Sequence, residues 1–120
     1  MYDQIFSINV KSVFFFIKEA RDLLKKSSQG ANVLITSSLS GIQPGRMVGV
    51  YAMSKAAVIS MAQWLAQELI DSNIRVNAVA PGFTRTNMIK DVMNAGIDKF
   101  LPKGAIGNPE DVAAVACMIC

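Results

Sequence analysis

Two short runs rich in β-branched residues, Asn32–Ser38 and Arg75–Ala80, frame a long helix-patterned stretch. That order limits the fold more than any other feature of the chain. A connection of this length excludes a hairpin and predicts a parallel pair of strands joined by a crossover helix, an α/β arrangement. The crossover helix is predicted from about Val50 to Ser72. Val58, Met61, Leu65 and Leu69 form one apolar stripe on it, and Ala56, Ala57, Ile59, Ala62 and Ala66 make the rest nearly as apolar. Such a helix is buried on more than one side. One side is expected to meet the sheet and the other a second partner.

A first helix over about residues 3–27 follows from Phe6, Val10, Val13, Ile17, Ala20 and Leu24, which recur at spacings of three and four. Ser27 to Gly30 ends it. Ser38 to Gly49 reads as a loop carrying Gly41, Pro44 and Gly45. Beyond the second strand, Pro81-Gly82 turns the chain and a short helical stretch covers about Asn87–Ala95. Asn108 then caps a last helix that opens at Pro109 and runs to Cys120. Two parallel strands with both outer edges free make a poor independent sheet. Residues 1–120 therefore read as a single partial domain, a slice of a larger sheet.

Composition narrows the function classes. Hydrophobic residues make up 52% of the 120 and the mean hydropathy is +0.34, which predicts surfaces meant to be covered. Charges interrupt the apolar stretches before the roughly 20 residues a membrane span needs. Asp3 and Gln4 stand where a signal peptide would be basic. A soluble, cytoplasmic protein is expected. The net charge is only +3, and Glu19 and Asp22 interleave with Lys18, Arg21, Lys25 and Lys26. That is a solvated helix face rather than a nucleic-acid surface. The chain has no histidine and two cysteines, which removes Ser-His-Asp triads and leaves no complete metal site. Cys117 and Cys120 fall late in the last helix and are expected to be small buried side chains. As free thiols they fit a reducing compartment.

Tyr51 and Lys55 lie one helical turn apart, and Ser38 precedes the tyrosine by thirteen residues. A phenol holds its proton at neutral pH, but a nearby ammonium favours the phenolate and brings the group toward general acid–base work. Ser38 ends a predicted strand, where α/β folds place ligands, and its hydroxyl can hold the oxygen to which the proton goes. Ser37 and Ser40 compete for that role or for one in the turn. Asn9 is a poor helix former inside a helix. It reads as a tolerated surface residue or as a local break whose carbonyl holds a water. Pro81, Gly82, Thr84 and Thr86 follow the second strand directly and offer amides and hydroxyls at its carboxyl end.

Together these stretches resemble the short-chain dehydrogenase/reductases of the Rossmann-fold type. The matching text is Ile8-Asn9, ITSSLSG at Ile35–Gly41, YAMSK at Tyr51–Lys55, IRVNAVAPGFTRT at Ile74–Thr86 and GNPEDVA at Gly107–Ala113. It is in the family's order and spacing across essentially the whole chain. Within the family the chain looks most similar to the beta-ketoacyl-carrier-protein reductase and polyol dehydrogenase branch. The resemblance implies a partial doubly wound parallel sheet that lacks the N-terminal dinucleotide-binding half and the last strand. It implies a small-molecule carbonyl or alcohol substrate and NAD or NADP as cofactor, with NADP slightly favoured. It also implies a homo-oligomer packed through the helices at 3–27 and 50–72, with no metal, membrane or nucleic acid.

The roles implied are these. Tyr51 gives or takes the proton, Lys55 bonds the nicotinamide ribose, Ser38 holds the substrate carbonyl and Asn9 supports a relay water. Pro81, Gly82 and Thr84 lie against the nicotinamide, and Thr86 lies near the phosphates. The family's TGxxxGxG turn, its NNAG strand end and the residues that choose between NAD and NADP do not occur in these 120 residues. Ala105 stands where an Arg often precedes GxPE. The glycine-rich turn is what anchors the pyrophosphate. The chain is therefore expected to bind dinucleotide weakly and to turn over negligibly on its own. The alternative is a non-catalytic chain acting only through its interface helices.

Overall fold

The structure, a computed structural model, describes residues 1–46, 48–90, 94, 96, 101 and 104–120. Strands β1 (Ala31–Thr36) and β2 (Ile74–Val79) pair in parallel, with Ala31 opposite Ile74 and Thr36 opposite Val79. They are the two strands of the sheet among the described residues. β1 stops before Ser37 and Ser38, two residues short of expectation. The Ser37 amide still donates to the Val79 carbonyl at 2.7 Å. Ser38 then leaves the ladder because its hydroxyl accepts from the Ser40 amide, a local bond that competes with strand pairing.

The first helix, α1, runs through three contiguous segments, Tyr2–Phe6, Ser7–Lys11 and Ser12–Leu24, and the middle one is π-helical. The expected break at Asn9 is thus a widening. Ser7, Ile8, Asn9 and Val10 are all weak helix formers, and an extra residue in the turn is accommodated there. Ile17 is buried in the core, and Val10, Val13 and Leu24 pack against that core half-buried. The helix ends at Leu24 rather than residue 27. The chain then turns through Gly30, whose φ of +84° belongs to the left-handed region that favours glycine.

The crossover helix, α2, spans Gly49–Glu68 and tightens into a 3₁₀ turn at Ile70–Ser72. Asn73, left-handed at φ 54°, closes it. Its Val58, Ala62 and Leu65, with Leu69 just past its end, pack on Ile35, Ile74 and Val76 of the sheet and on Ile17 of α1. This is the core, and it sits on one sheet face because alternate strand residues share a side. α2 thus meets the sheet on one side and α1 on another, and part of its remaining surface is left open. Met53 and Trp64 are exposed on α2, and Trp64 is only partly covered by a stack on Phe14 of α1, with ring centroids 6.2 Å apart.

The last helix, α3, covers Pro109–Ile119. The Asn108 amide donates to Asp111 Oδ2 at 2.7 Å at its start. At its end the Arg75 guanidinium donates to the Ile119 and Cys120 carbonyls, which have no partner within the helix. Cys117 and Cys120 are exposed, contrary to the expected burial. The inward stripe of α3 is Val112, Ala116 and Ile119, and both cysteines fall off it. The stretch expected to be helical over about Asn87–Ala95 begins as a 3₁₀ turn at Asn87–Ile89, and most of its remainder lies outside the described residues. Among the described residues no helix is long and apolar enough to cross a membrane.

Candidate active site

Both strands end at one edge of the sheet, and two loops leave from it. In the first loop Ser37 is buried and its hydroxyl donates to the Lys55 carbonyl at 2.8 Å. Ser37 is therefore committed to bracing the loop, and Ser38 remains half-buried as the cap of a 3₁₀ turn at Leu39–Gly41. Gly41 presses this turn onto α2. A Cβ there would lie 2.7 Å from the Lys55 carbonyl carbon and 2.8 Å from the Ala56 nitrogen, so only glycine fits. The close approach sets the Ser38 loop beside the first turns of α2.

The second loop is tied to the first, because the Leu39 amide donates to the Pro81 carbonyl at 2.9 Å. Gly82 faces Leu39. Thr84 pairs with Gly107 in an isolated parallel bridge. The Arg85 amide donates to the Gly107 carbonyl, and the Gly107 amide to the Phe83 carbonyl, each at 2.9 Å. The Gly107 segment thus clamps the Pro81–Thr86 loop from outside. The Thr84 hydroxyl donates to the Gly82 carbonyl.

On α2, Tyr51 is half-buried. The Lys55 Nζ lies 5.8 Å from the centroid of its ring and donates to the Thr36 carbonyl, the last of β1, at 3.0 Å. Burial pushes the Lys55 ammonium below the ordinary lysine value of 10.5, since desolvation disfavours the charged form. The one ion pair among the described residues joins Arg21 and Asp22, so no described carboxylate offsets that burial.

Asn9 reaches the same place from α1. Its Nδ2 donates to the Ser54 hydroxyl at 3.0 Å, and Ser54 Oγ donates to the Tyr51 carbonyl at 2.7 Å. Ser54, fully buried, was not singled out from sequence. A signal existed. Ser54 shares the buried stripe of Val58 and Leu65, and a polar side chain on an apolar stripe needs partners. Asn9, Thr36 and Lys55 line one groove of about 640 Å³ between α1 and β1. Thr86 lies apart, in a separate hollow with Arg85 and Lys90.

The structure therefore gathers Asn9, Tyr51, Lys55 and the Ser38 loop around the first turns of α2, with Pro81 and Gly82 tied to that loop. A phenol, a desolvated ammonium and a hydroxyl-bearing loop at the carboxyl edge of a parallel sheet suit proton transfer at an oxygen. The family described as enoyl-(acyl carrier protein) reductase matches residues 1–120. The chain belongs to the short-chain dehydrogenase/reductase family. It is 36% identical over 115 residues to 3-oxoacyl-[acyl-carrier-protein] reductase FabG of Rickettsia bellii, a match covering 93% of this chain and 47% of that protein. Its fold superposes on Pseudomonas aeruginosa RhlG, solved as an NADP active-site complex, at a TM-score of 0.86 and 31% identity, over 96% of this chain and 48% of that one. The 3-ketoacyl-(acyl-carrier-protein) reductase of Brucella melitensis, solved with NADH, gives 0.89 at 26% identity, over 99% and 50%. The chain spans about half the length of each of these three proteins. The doubly wound parallel architecture expected from sequence is the one these neighbours have.

Proposed function

We propose that this chain is the acid–base half of a nicotinamide-dependent oxidoreductase that reduces a small-molecule carbonyl or oxidises a secondary alcohol. The observation that carries the reading is the placement of Lys55 Nζ between the Thr36 carbonyl and the Tyr51 ring. Tyr51 gives its proton to the substrate oxygen in reduction and takes it back in oxidation. The Lys55 charge favours the phenolate left behind. Ser38, on the loop that Gly41 presses against α2, holds the substrate oxygen. Asn9, whose side chain is taken up by Ser54, offers its backbone carbonyl to a relay water in the groove it shares with Lys55.

The residues present fit a nicotinamide dinucleotide, NAD or NADP. An ammonium has three N–H donors, and Thr36 takes one of them, which leaves two for ribose hydroxyls. Pro81, Gly82 and Thr84 form a clamped wall for the nicotinamide, and Thr86, beside Arg85 and Lys90, suits the phosphates. The dinucleotide supplies hydride transfer when bound, and the protein supplies orientation and the proton. The exposed free thiols of Cys117 and Cys120 support a reducing, cytoplasmic setting.

Fusing this chain to the segments of the Rickettsia relative that it lacks tests the reading. The fusion is expected to reduce members of a carbonyl panel with NADPH or NADH, and Tyr51→Phe is expected to abolish that activity. Full activity in the Tyr51→Phe fusion would sink the assignment.

One observation favours a second role. Phe15 of α1 and Met53 and Trp64 of α2 are exposed, and apolar surface of this kind marks a contact with another chain. We propose that copies associate through this flank, as a homo-oligomer or as a non-catalytic chain joined to intact subunits. Sedimentation of the purified chain against a Trp64→Ser variant decides it. Association of the parent alone supports the interface, and identical monomers rule it out.

A further inference from the structure

We infer that Ser54 is a positioning residue, which couples the π-helical turn at Asn9 to Tyr51 and so sets where the phenol sits against Lys55. This rests on the reading of Tyr51 and Lys55 as the proton-transfer pair. Three observations carry it. Ser54 is 0% exposed, so its hydroxyl has only protein partners. A serine hydroxyl has one O–H donor, and Ser54 donates it to the Tyr51 carbonyl while accepting a hydrogen bond from Asn9 Nδ2. Both functions of the hydroxyl are in use, and the bonds run in one direction from Asn9 through Ser54 to the backbone of Tyr51.

The second observation is where the bond lands. In an α-helix the carbonyl of residue 51 faces the amide of residue 55. The Ser54 hydroxyl therefore loads the carbonyl that links the two residues doing the chemistry. A back-bond of this kind constrains the local course of the helix.

The third is the widened turn. Ser7–Lys11 holds one more residue than an α-turn would. An extra residue rotates every preceding side chain around the helix axis, and in this register the Asn9 carboxamide meets α2. The Ser12 hydroxyl donates back to the Ile8 carbonyl in the same turn, so the widened segment is braced from within α1 as well. Asn9 also lines the groove shared by Thr36 and Lys55. Ser54 thus joins one wall of that groove to the tyrosine outside it. A serine that merely satisfied itself by a back-bond would need no partner from another helix.

The test uses the full chain in a Tyr2→Phe background, which leaves Tyr51 as the only tyrosine, since the sequence has two. Carbon- and nitrogen-labelled protein reports the Tyr51 ring signals, the ring-to-Lys55 proximity and the Asn9 side-chain amide. Ser54→Ala is expected to make the Asn9 amide exchange roughly tenfold faster, as loss of one buried hydrogen bond allows. It should also shift the Tyr51 ring signals and weaken the ring-to-Lys55 contact. Ser54→Thr, which keeps the hydroxyl, should retain the parental Tyr51 spectrum. Asn9→Leu breaks the link from the other side and should displace Tyr51 in the same direction.

Faster Asn9 exchange with an unchanged Tyr51 ring would reduce Ser54 to a structural bond and overturn the inference. If Ser54→Ala loses its dispersed spectrum, Asn9→Leu decides. An unmoved Tyr51 there overturns the inference, and a moved one upholds it. The parent reading fails separately, through an active Tyr51→Phe fusion, and that result would leave the spectra as they are.

Discussion

The carboxyl edge of the sheet and the outer flank of the two long helices are built by different rules. At the edge nearly every contact is polar, directional and made between different elements. Ser37 bonds α2, Leu39 bonds Pro81, Gly107 bonds Phe83 and Arg85, and Asn9 bonds Ser54. On the flank, Phe15, Met53 and Trp64 present apolar surface, ordered by ring contacts of Phe14 with Phe15 and Trp64. Hydrogen bonds fix a geometry to within a fraction of an ångström, whereas apolar area rewards any cover. The edge is organised as a reaction site is, with its groups preorganised by neighbours. The flank is organised to be covered.

The largest effect expected from this contrast is on chemistry. In the fusion with the Rickettsia segments, Tyr51→Phe should lower kcat/KM by about 10²–10⁴, the range for a lost general acid. Trp64→Ser should leave kcat/KM unchanged. Comparable losses from both would erase the distinction between the two regions. Gly41→Ala should come next. Its new methyl meets the Lys55 backbone, where nothing can swing aside, and such overpacking costs roughly 1–3 kcal/mol, read as a drop in the urea midpoint.

A pH series sharpens the edge further. Because burial holds Lys55 below 10.5, the unfolded chain binds more protons than the folded one between the folded value and 10.5, and stability contributed by this site rises with pH across that window. Lys55→Met removes the term. Parent stability minus variant stability, from urea midpoints between pH 7 and 11, should therefore climb with pH. A falling difference would mean that the ammonium is held by a charge partner. The smallest effect belongs to the flank, where Met53→Ser in the isolated chain should move unfolding by less than about 0.5 kcal/mol while reducing self-association.

Much of this was legible from local pattern. The parallel pair follows from two apolar runs and the length between them, and Tyr51 and Lys55 meet because helical neighbours four apart must. What escaped depends on phase and on distant partners. Ser37, Ser38 and Ser40 are equivalent as letters, and only the end of the ladder at Thr36 decides that Ser37 turns inward to α2. Asn9 signalled a disturbed helix, but the partner of its side chain, Ser54, lies forty-five residues away, beyond the reach of local pattern. Cys117 and Cys120 looked buried by type. The rotation of a short helix about Val112, Ala116 and Ile119 turned them outward. The apolar surround of α2 promised a second partner as well as the sheet, and α1 is one, while Met53 and Trp64 stay exposed.

The most direct test of the central claim is a titration of the labelled chain with NADPH followed by backbone and lysine side-chain resonances. Weak binding is expected, with shifts gathered at Lys55, Thr36 and the Gly82–Thr84 segment and lost in Lys55→Met. Shifts centred on α3, or none at Lys55 when the nucleotide is in large excess, would contradict that claim.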